Sequence, residues 1–423
     1  MSNKILKSTL ALAISAVSSY SMASGFAINE QSISALGMSN AGRASSASDA
    51  STVYGNPAGM ALIEREQVTA GAAVIFAKAD ITNASGFPGG SNDGDMVPTV
   101  AIPMGYYVKP IDENWAFGLG VYVPFGLATD YENGFAGRYY GDKSEVNVIT
   151  IQPTVSYRFN DQLSIGFGPT INRIEGELTS EVPNLALTGG PAADGEVDIK
   201  GDDVGYGYNF GLMYEITPST RLGVTYHSKV EYSLEGHTTV SGTGFVGTSA
   251  GRYGASLDVT TPEAVDFSLT HQLNNGWTVH AGATWTRWSR FDKLVVENDQ
   301  VGGAFGGALT TITEEENWHD TWAVAAGAEY QLNKQWVLRT GIALDQAPTN
   351  NTDLSPRIPT GDRTIYSIGA GWSPNDDITV DVAYSYLNEE DVHIDRVSAT
   401  KGSYSATYRN SAHALGAQVT YRF

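Results

Sequence analysis

Seven histidines are the residues of this sequence that first invite a search for catalysis. Two stretches place a serine close to a histidine, as a nucleophile and its base would require: "YHS" at 226–228 and "SAH" at 411–413. Adjacent residues of a strand point to opposite faces, so only Ser411 and His413 could share a face. No acid that could orient His413 is evident nearby. A lipase is therefore a poor alternative, and we expect no catalytic residue and no enzyme.

Two acid-rich runs could bind a divalent cation through carboxylate oxygens, "EEENWHD" at 314–320 and "NEEDVHID" at 388–395. Such runs are more often the solvated faces of loops, and both interpretations stay open. The glycine-rich stretch "GGAFGG" at 302–307 is no phosphate site, since no helix pattern follows it. We expect neither a resident metal nor a cofactor.

Composition excludes several kinds of site and partner. The chain of 423 residues has no cysteine, so disulfides and thiolate metal sites are excluded. Without Lys4 and Lys7, which lie in the N-terminal segment described next, 23 basic and 46 acidic residues give a net charge of −23. This excess of acidic groups argues against nucleic-acid binding, which needs a basic surface.

Residues 1–23 have the form of a secretory signal peptide. Two lysines precede a short apolar core at 8–20, and the small residues "SMA" at 21–23 form a cleavage site. The core is shorter than the roughly 20 apolar residues that a membrane-spanning helix needs. We expect export and cleavage after Ala23.

The remaining chain reads as strands joined by connections of alternating length. Six connections are short and polar: 110–114, 160–162, 217–220, 274–276, 333–335 and 374–377. Seven are long and rich in glycine or acidic residues: about 83–96, 124–144, 180–203, 241–255, 297–316, 348–362 and 396–404. Each short turn joins two strands. With a first strand near 67–81 and a last near 405–423, the count is fourteen.

The faces of these strands favour a barrel in a membrane. In 378–387, for example, Ile378, Val380 and Val382 share one face, opposite Thr379 and Asp381. A soluble sandwich also alternates, but the even strand count, the alternating loop lengths, the aromatic residues at strand ends and the signal peptide are typical of outer-membrane barrels. We predict an all-β fold, a 14-stranded antiparallel transmembrane β-barrel over residues 67–423.

Residues 24–66 do not alternate and are rich in glycine, alanine and serine. A flexible tail is one interpretation. Interleaved apolar residues and the tight turn "GNPAGMA" favour a compact segment, and a fourteen-strand barrel has a lumen that its own side chains do not fill. We predict that residues 24–66 form a plug, or hatch, inside the barrel.

Several stretches resemble the long-chain fatty-acid outer-membrane transporter family of the FadL/TodX type. They are "SGFAINEQSISALG" with "AGRASSASDASTVYGNPAGMA", "PFGLATDYENGFAGRYYGDKSEVNVITIQPTVSYRFND" and "IPTGDRTIYSIGAGW". They keep the order of segments in the family, and the similarity covers essentially the whole mature chain. The ending "HALGAQVTYRF" also resembles the strand that the bacterial barrel-assembly machinery recognises.

The resemblance implies roles for residues of the hatch. Asn56, Pro57 and Ala58 match the Asn-Pro-Ala turn of the family hatch, and Phe26 matches the apolar tip that reaches a ligand pocket. We expect Ile28 beside it to contribute to ligand binding.

The resemblance also implies a kink in the third strand that opens the barrel wall. This strand is 115–123, so Pro124, Phe125 and Gly126 fall on the kink, with Leu127 next to the ligand. Proline lacks a ladder donor, and the 110–114 turn puts Pro103 roughly opposite Val121. The alternative is that Pro124 simply ends the strand.

Ligand capture and head-group binding are less defined. In the family, loops matching 124–144 and 180–203 form the capture groove. By approximate alignment, Ser180 and His319 stand where fatty-acid members carry cations. Candidate substitutes are Arg138 and Arg173, and after them the inward Arg158 and Arg339.

The resulting expectation is passive uptake of long-chain fatty acids or similar hydrophobic molecules, with lateral exit at Pro124–Gly126. Aromatic or aliphatic hydrocarbons are the alternative ligands, and an ungated porin or a surface receptor is a weaker alternative function. We expect a monomer that contacts outer-membrane lipid and lipopolysaccharide.

Overall fold

The computed structural model describes residues 25–184 and 194–423. Its strands within these ranges are β1 (Gln67–Phe87), β2 (Val100–Pro110), β3 (Trp115–Asp130), β4 (Lys143–Arg158), β5 (Leu163–Val182), β6 (Gly195–Thr217), β7 (Thr220–His227), β8 (Val230–Ser241), β9 (Gly251–Thr261), β10 (Ala264–Gln272), β11 (Trp277–Thr286), β12 (Lys293–Asn298), β13 (Thr311–Glu315), β14 (Thr321–Gln331), β15 (Trp336–Asp345), β16 (Arg363–Trp372), β17 (Ile378–Glu389), β18 (Val392–Ser398) and β19 (Gly402–Arg422). The predicted cleavage site at Ala23 lies outside the described residues.

Fourteen of these strands form a closed antiparallel barrel, which confirms the predicted strand count. Their order is β1 to β7, β10, β11, β14 to β17 and β19, and β19 pairs back onto β1 from Gln67–Arg422 to Phe87–Ser403. Four stretches that the sequence indicates as continuous strands are broken in two, and the predicted connection 297–316 contains a further short strand, β13. The extra strands, β8, β9, β12, β13 and β18, extend the wall at the end of the long connections.

The two faces of the barrel wall have opposite character. Side chains on the outside are apolar and exposed, among them Phe117, Leu119, Val121, Ile151, Val155, Phe167, Ile171, Ile342 and Ile368. Those on the inside include buried polar groups such as Gln152, Thr154, Ser156, Ser268, Thr270, Gln418 and Thr420. This distribution of apolar and polar side chains is the reverse of that in a soluble protein, and it fits a wall that faces lipid and encloses a polar interior.

Residues of the hatch segment pack against the inner face of the barrel wall. The short helices of the hatch are Ile33–Leu36, Thr52–Gly55 and the 3₁₀ helix Pro57–Leu62. It packs on strands whose inward residues are glycines, where a Cβ would meet hatch atoms: Gly118, Gly120, Gly166, Gly211, Gly223, Gly282, Gly327, Gly341, Gly369 and Gly416. These glycines let the hatch backbone approach the wall closely.

A band of ionic and polar contacts also holds the hatch, and sequence analysis missed it. Arg43 of the hatch pairs with Asp266 of β10 at 2.6 Å. Asp49 accepts a 2.9 Å hydrogen bond from Gln418, which also donates to Asp381. Asp381 in turn pairs with Arg339 at 2.6 Å. The lumen therefore contains buried ion pairs between the hatch and the wall and within the wall.

Outside the hatch, the described part of the chain has short helical segments at Val246–Ser249, Trp288–Arg290 and Gly306–Leu309. Among the described residues, no helix has both the length and the apolar character needed to cross a membrane.

Candidate functional site

The ladder between β2 and β3 stops halfway along β3. Pairs run from Pro110–Ala116 to Gly105–Val121, and within the described chain no further pair joins the two strands. Val121 therefore lies opposite Gly105 and not Pro103, which comes two residues after the last pair. We call residues 100–104 of β2 and 122–130 of β3 the seam.

Pro124 bends β3 and does not end it. The strand continues to Asp130, and its pairing with β4 shifts register between Tyr122 and Phe125. Burial alternates up to Tyr122 but is continuous from Gly126 to Thr129. A bulge of this kind bends a strand and increases its twist. Beyond Pro124, β3 thus leaves the lipid-facing surface and turns inward.

The N-terminal end of the hatch pairs with β3 at this bend. The Ile28 amide donates to the Pro124 carbonyl at 2.9 Å, and the Gly126 amide donates to the Phe26 carbonyl at 2.9 Å. The Gln31 side chain donates to the Val123 carbonyl at 2.5 Å. The hatch thus supplies partners that β2 does not give to β3.

Phe26 of the hatch tip is held by aromatic rings from the barrel. Its ring centroid lies 4.9 Å from Trp288, 5.3 Å from Phe291, 5.7 Å from Phe125 and 5.9 Å from Trp318. We call Trp288, Phe291 and Trp318 the aromatic box. Edge-to-face aromatic pairs stabilise by about 0.5–1.5 kcal/mol each beyond their burial.

Gly25 allows this docking. Its φ of +60° is in the left-handed region, and a Cβ there would lie 2.6 Å from Trp318 Cζ3 and 2.8 Å from Trp288 Cζ2. Only glycine meets both conditions without strain.

A largely apolar cavity adjoins the hatch tip, with an empty volume of about 870 Å³ that includes space open to solvent. Phe26 and Phe291 form part of its wall, and β3 contributes Leu127. The opposite wall consists mainly of aliphatic residues: Val146, Ile174, Leu178, Ile199, Leu234, Leu257, Val259, Leu294 and Val296. Such a cavity can hold an apolar chain.

Charged groups are few in the cavity wall, and sequence analysis missed them. Arg357 pairs with Glu314 at 3.0 Å, and Glu316 accepts a 3.0 Å hydrogen bond from Trp318 Nε1. Burial, and next the Glu314 carboxylate, raise the pKa of Glu316 to about 8. Lys200 completes the cationic groups of the wall.

Of the predicted ligand-binding residues, Phe26 and Leu127 line the cavity, and Phe125 packs on Phe26. Ile28 is buried in a neighbouring apolar cluster with Ile75 and Val123.

Arg138 and Arg173 do not line the cavity. Arg138 pairs with Glu181 at 2.6 Å and Asp194 at 2.8 Å among the outer connections. Arg173 lies on the outer surface, where it pairs with Glu175.

The predicted hatch turn makes structural contacts within the hatch and with the barrel. Asn56 caps the Pro57 helix by accepting from the Ala58 amide at 3.0 Å, and its Nδ2 donates to Leu212 of the barrel. In loop 124–144, Tyr131, Phe135, Tyr139 and Tyr140 are buried and not exposed for capture. Phe125 is half-buried. The apolar part of loop 180–203 lies mostly outside the described residues.

The acidic runs that could bind a cation gain no support from the geometry. Within 25–184 and 194–423, no group of three or more histidine, aspartate or glutamate side chains is arranged to hold a metal ion.

Comparison with known proteins identifies the family. Residues 14–423 match the family model described as outer membrane protein transport protein (OMPP1/FadL/TodX). The chain belongs to this family. Relatives in it include the long-chain fatty acid transport protein of Escherichia coli O6:H1. It is 31% identical over a 458-residue alignment that covers both chains completely. Another is outer membrane protein P1 of Haemophilus influenzae, 30% identical over 99% of this chain and the whole relative.

Solved structures of FadL/TodX members share the fold. A FadL homologue of Pseudomonas aeruginosa superposes with a TM-score of 0.85 at 24% identity, covering 94% of this chain and all of the other. The toluene transporter TodX of Pseudomonas putida gives 0.70 at 21% identity, covering 92% and 98%. The family membership and the barrel show an outer-membrane transport protein.

Proposed function

We propose that this protein takes up hydrophobic molecules, first among them long-chain fatty acids or similar amphiphiles, by passive diffusion. The observation that carries the proposal is the cavity beside the hatch tip, since Phe26 and Leu127 place its wall directly at the seam. Two of the relatives, from Escherichia coli O6:H1 and Salmonella typhi, are named long-chain fatty acid transport proteins, and these names support this ligand class.

The proposed route leads from the outer loops into the cavity and then sideways through the seam. For exit, the hatch tip must leave β3, which breaks the hydrogen bonds of Ile28 and Gly126. A backbone without partners is costly in lipid, so the seam is open only while ligand or water replaces the hatch. Pro103, Pro124 and Gly126 are the residues to which we assign this portal.

The test is a disulfide across the seam. The chain has no cysteine of its own, and Val100 and Ala128 are buried against each other on the two sides. We expect V100C/A128C to lose most of its uptake of labelled long-chain fatty acid when oxidised and to regain it with reductant. The single variants V100C and A128C serve as controls. Uptake unaffected by oxidation would contradict lateral exit.

Aromatic or aliphatic hydrocarbons are a second ligand class, favoured by the largely apolar wall and by the toluene transporters that share the fold. Mass spectrometry of lipids that copurify with the protein decides between the classes. An ungated porin is disfavoured, because the hatch occupies the lumen.

Processing and partners complete the proposal. We propose cleavage after Ala23, so that Ser24 begins the mature chain, with residues 24–66 as hatch and 67–423 as barrel. The exposed apolar row of β19 that ends in Tyr421 and Phe423 supports recognition by the barrel-assembly machinery. We propose a monomer surrounded by outer-membrane lipid and lipopolysaccharide.

A further inference from the structure

The barrel wall has a second interruption, on the side of β6 that faces β7 and β8. Pairs of β6 with β7 end at Asn209–His227, and pairs of β6 with β8 begin at Asp202–Glu235. Between them, residues 203–208 pair with β5 but, within the described chain, with no strand on the other side. We call residues 203–208 the β6 gap.

Side chains cover the β6 gap from the inside. A Cβ at Gly205 would lie 2.5 Å from Val230 Cγ1 and 2.7 Å from Tyr232 Cε1, and a Cβ at Gly207 would lie 2.8 Å from Val230 Cγ2. Val230 and Tyr232 therefore rest directly on the glycine backbone of β6. The Ser228 amide donates a backbone hydrogen bond to the Tyr208 carbonyl at 2.9 Å. This bond closes the end of the gap that is nearer to the short turn after β6.

The cover separates the cavity from the outer surface. Val230 and Tyr232 belong to the same apolar cluster as Ile174 and Leu234, which line the cavity. On the outside of the gap, the side chain of Tyr206 is 73% exposed. Val230 and Tyr232 therefore connect the side chains that line the cavity with the glycine backbone of the gap.

The gap and the seam lie at comparable heights on either side of the cavity. Nine residues, 209–217, separate the gap from the short turn after β6, and seven residues, 115–121, separate the seam from the short turn before β3. Strands rise about 3.3 Å per residue, so both interruptions begin on the outer half of a bilayer that β3 and β6 span.

We propose that the β6 gap is a second lateral passage between the cavity and the outer leaflet, with Val230 and Tyr232 as its movable cover. The inference rests on the proposed function, because it requires apolar ligands in the cavity. Passage here needs rotation of two side chains and no release of the hatch. The ligands are the same apolar or amphiphilic molecules that reach the seam.

A second disulfide tests the proposal. The short distance from a Cβ at Gly205 to Val230 places G205C and V230C within reach of a disulfide. Uptake of labelled fatty acid is measured in cells that carry the V100C/A128C staple, the G205C/V230C staple, both or neither, with and without reductant. We expect the seam staple to leave a residual uptake that the second staple removes. Surface levels of each barrel variant are measured in parallel.

The outcomes separate the two proposals. Residual uptake that is equal with one staple and with both overturns the second passage and leaves the seam in place. Uptake that no staple lowers overturns lateral exit altogether. A further variant avoids placing a side chain at Gly205: in the seam-stapled protein, Tyr232→Ala of β8 raises uptake, whereas Tyr214→Ala, a lipid-facing change on β6, does not. No gain with Tyr232→Ala also overturns the passage.

Discussion

The seam and the β6 gap are two interruptions of one barrel wall that are closed in different ways. At the seam, the missing partners of β3 are replaced by hatch backbone at Phe26 and Ile28. At the gap, glycine backbone is covered by the side chains of Val230 and Tyr232. We therefore expect opening of the seam to be coupled to hatch movement and opening of the gap to be local. Substitutions can therefore change one closure without the other.

The largest effect is expected from Gly25→Ala, because it strains the backbone and collides with Trp318. Left-handed strain and overpacking together cost about 3 kcal/mol. We expect the hatch tip to detach more often, with amide hydrogen exchange at Ile28 and Gly126 roughly 100-fold faster. Gly134→Ala is the matched control: its φ is +77°, but a Cβ there meets nothing within 4 Å. Equal exchange in both variants would contradict the docking role.

A smaller effect is expected from Gln31→Met, which removes the hydrogen bond to the Val123 carbonyl at the bulge. A buried carbonyl left without this donor costs about 1–3 kcal/mol. Amide hydrogen exchange at Ile28 should accelerate roughly tenfold for each 1.4 kcal/mol of free energy lost from hatch docking. Exchange at the Tyr232 amide should stay unchanged. Gln331→Met, at an exposed position near a short turn, is the control. A change confined to the β6 gap would refute the assignment.

The pH dependence of the aromatic box comes next in size. The pKa of Glu316 in the folded protein is about 8, above its usual value of 4.5, so its stabilising effect is complete below 4.5 and is lost as the pH rises towards 8. The Glu314 carboxylate raises the pKa of Glu316, whereas Arg357 and Arg396 lower it.

We expect Glu316→Gln to match the parent protein at pH 5 and to have a melting temperature a few degrees higher above pH 8. Glu315→Gln, at the exposed neighbouring position, should leave the pH profile unchanged. A Glu316→Gln profile parallel to that of the parent would show that this carboxyl does not titrate as described.

The smallest effect is expected at the β6 gap itself. Ser228→Ala removes the hydroxyl that accepts from the Tyr208 amide at 2.8 Å. The loss of one such bond costs about 1 kcal/mol. Amide exchange at Tyr208 should rise while exchange at Ile28 stays constant, because the gap is not coupled to the hatch. Joint acceleration at both sites would argue for a single coupled opening.

Much of the fold could be predicted because local patterns determine it. Alternation and short polar turns predicted fourteen strands. The missing donor of Pro124 marked an interruption of the third strand, and only the resemblance to the family favoured a bend over a strand end. The predicted partner of Val121 was wrong by two residues. The turn pairs Pro110 with Ala116, and this register places Gly105, not Pro103, opposite Val121.

Features that join distant segments could not be predicted. Trp288 and Trp318 of the aromatic box pack on Phe26 of the hatch, and nothing in a single sequence indicates that these residues meet. The stretch "WTRWSRFDK" at 285–293 does break the alternation, and that was the available signal. The pairing of Arg43 with Asp266 spans 223 residues and leaves no local pattern.

The coupling of hatch and seam can be tested by joining Ala27 to Phe125, which form an antiparallel bridge between the hatch and β3. Bridged residues of antiparallel strands lie within disulfide range. In A27C/F125C, fatty-acid uptake is measured under oxidation and after reductant, with F125C alone as control. We predict that the oxidised protein still binds ligand but loses the share of uptake that the seam staple removes, and that reductant restores it. Full uptake with the hatch tip locked onto β3 would contradict release of the hatch as the step that opens the seam.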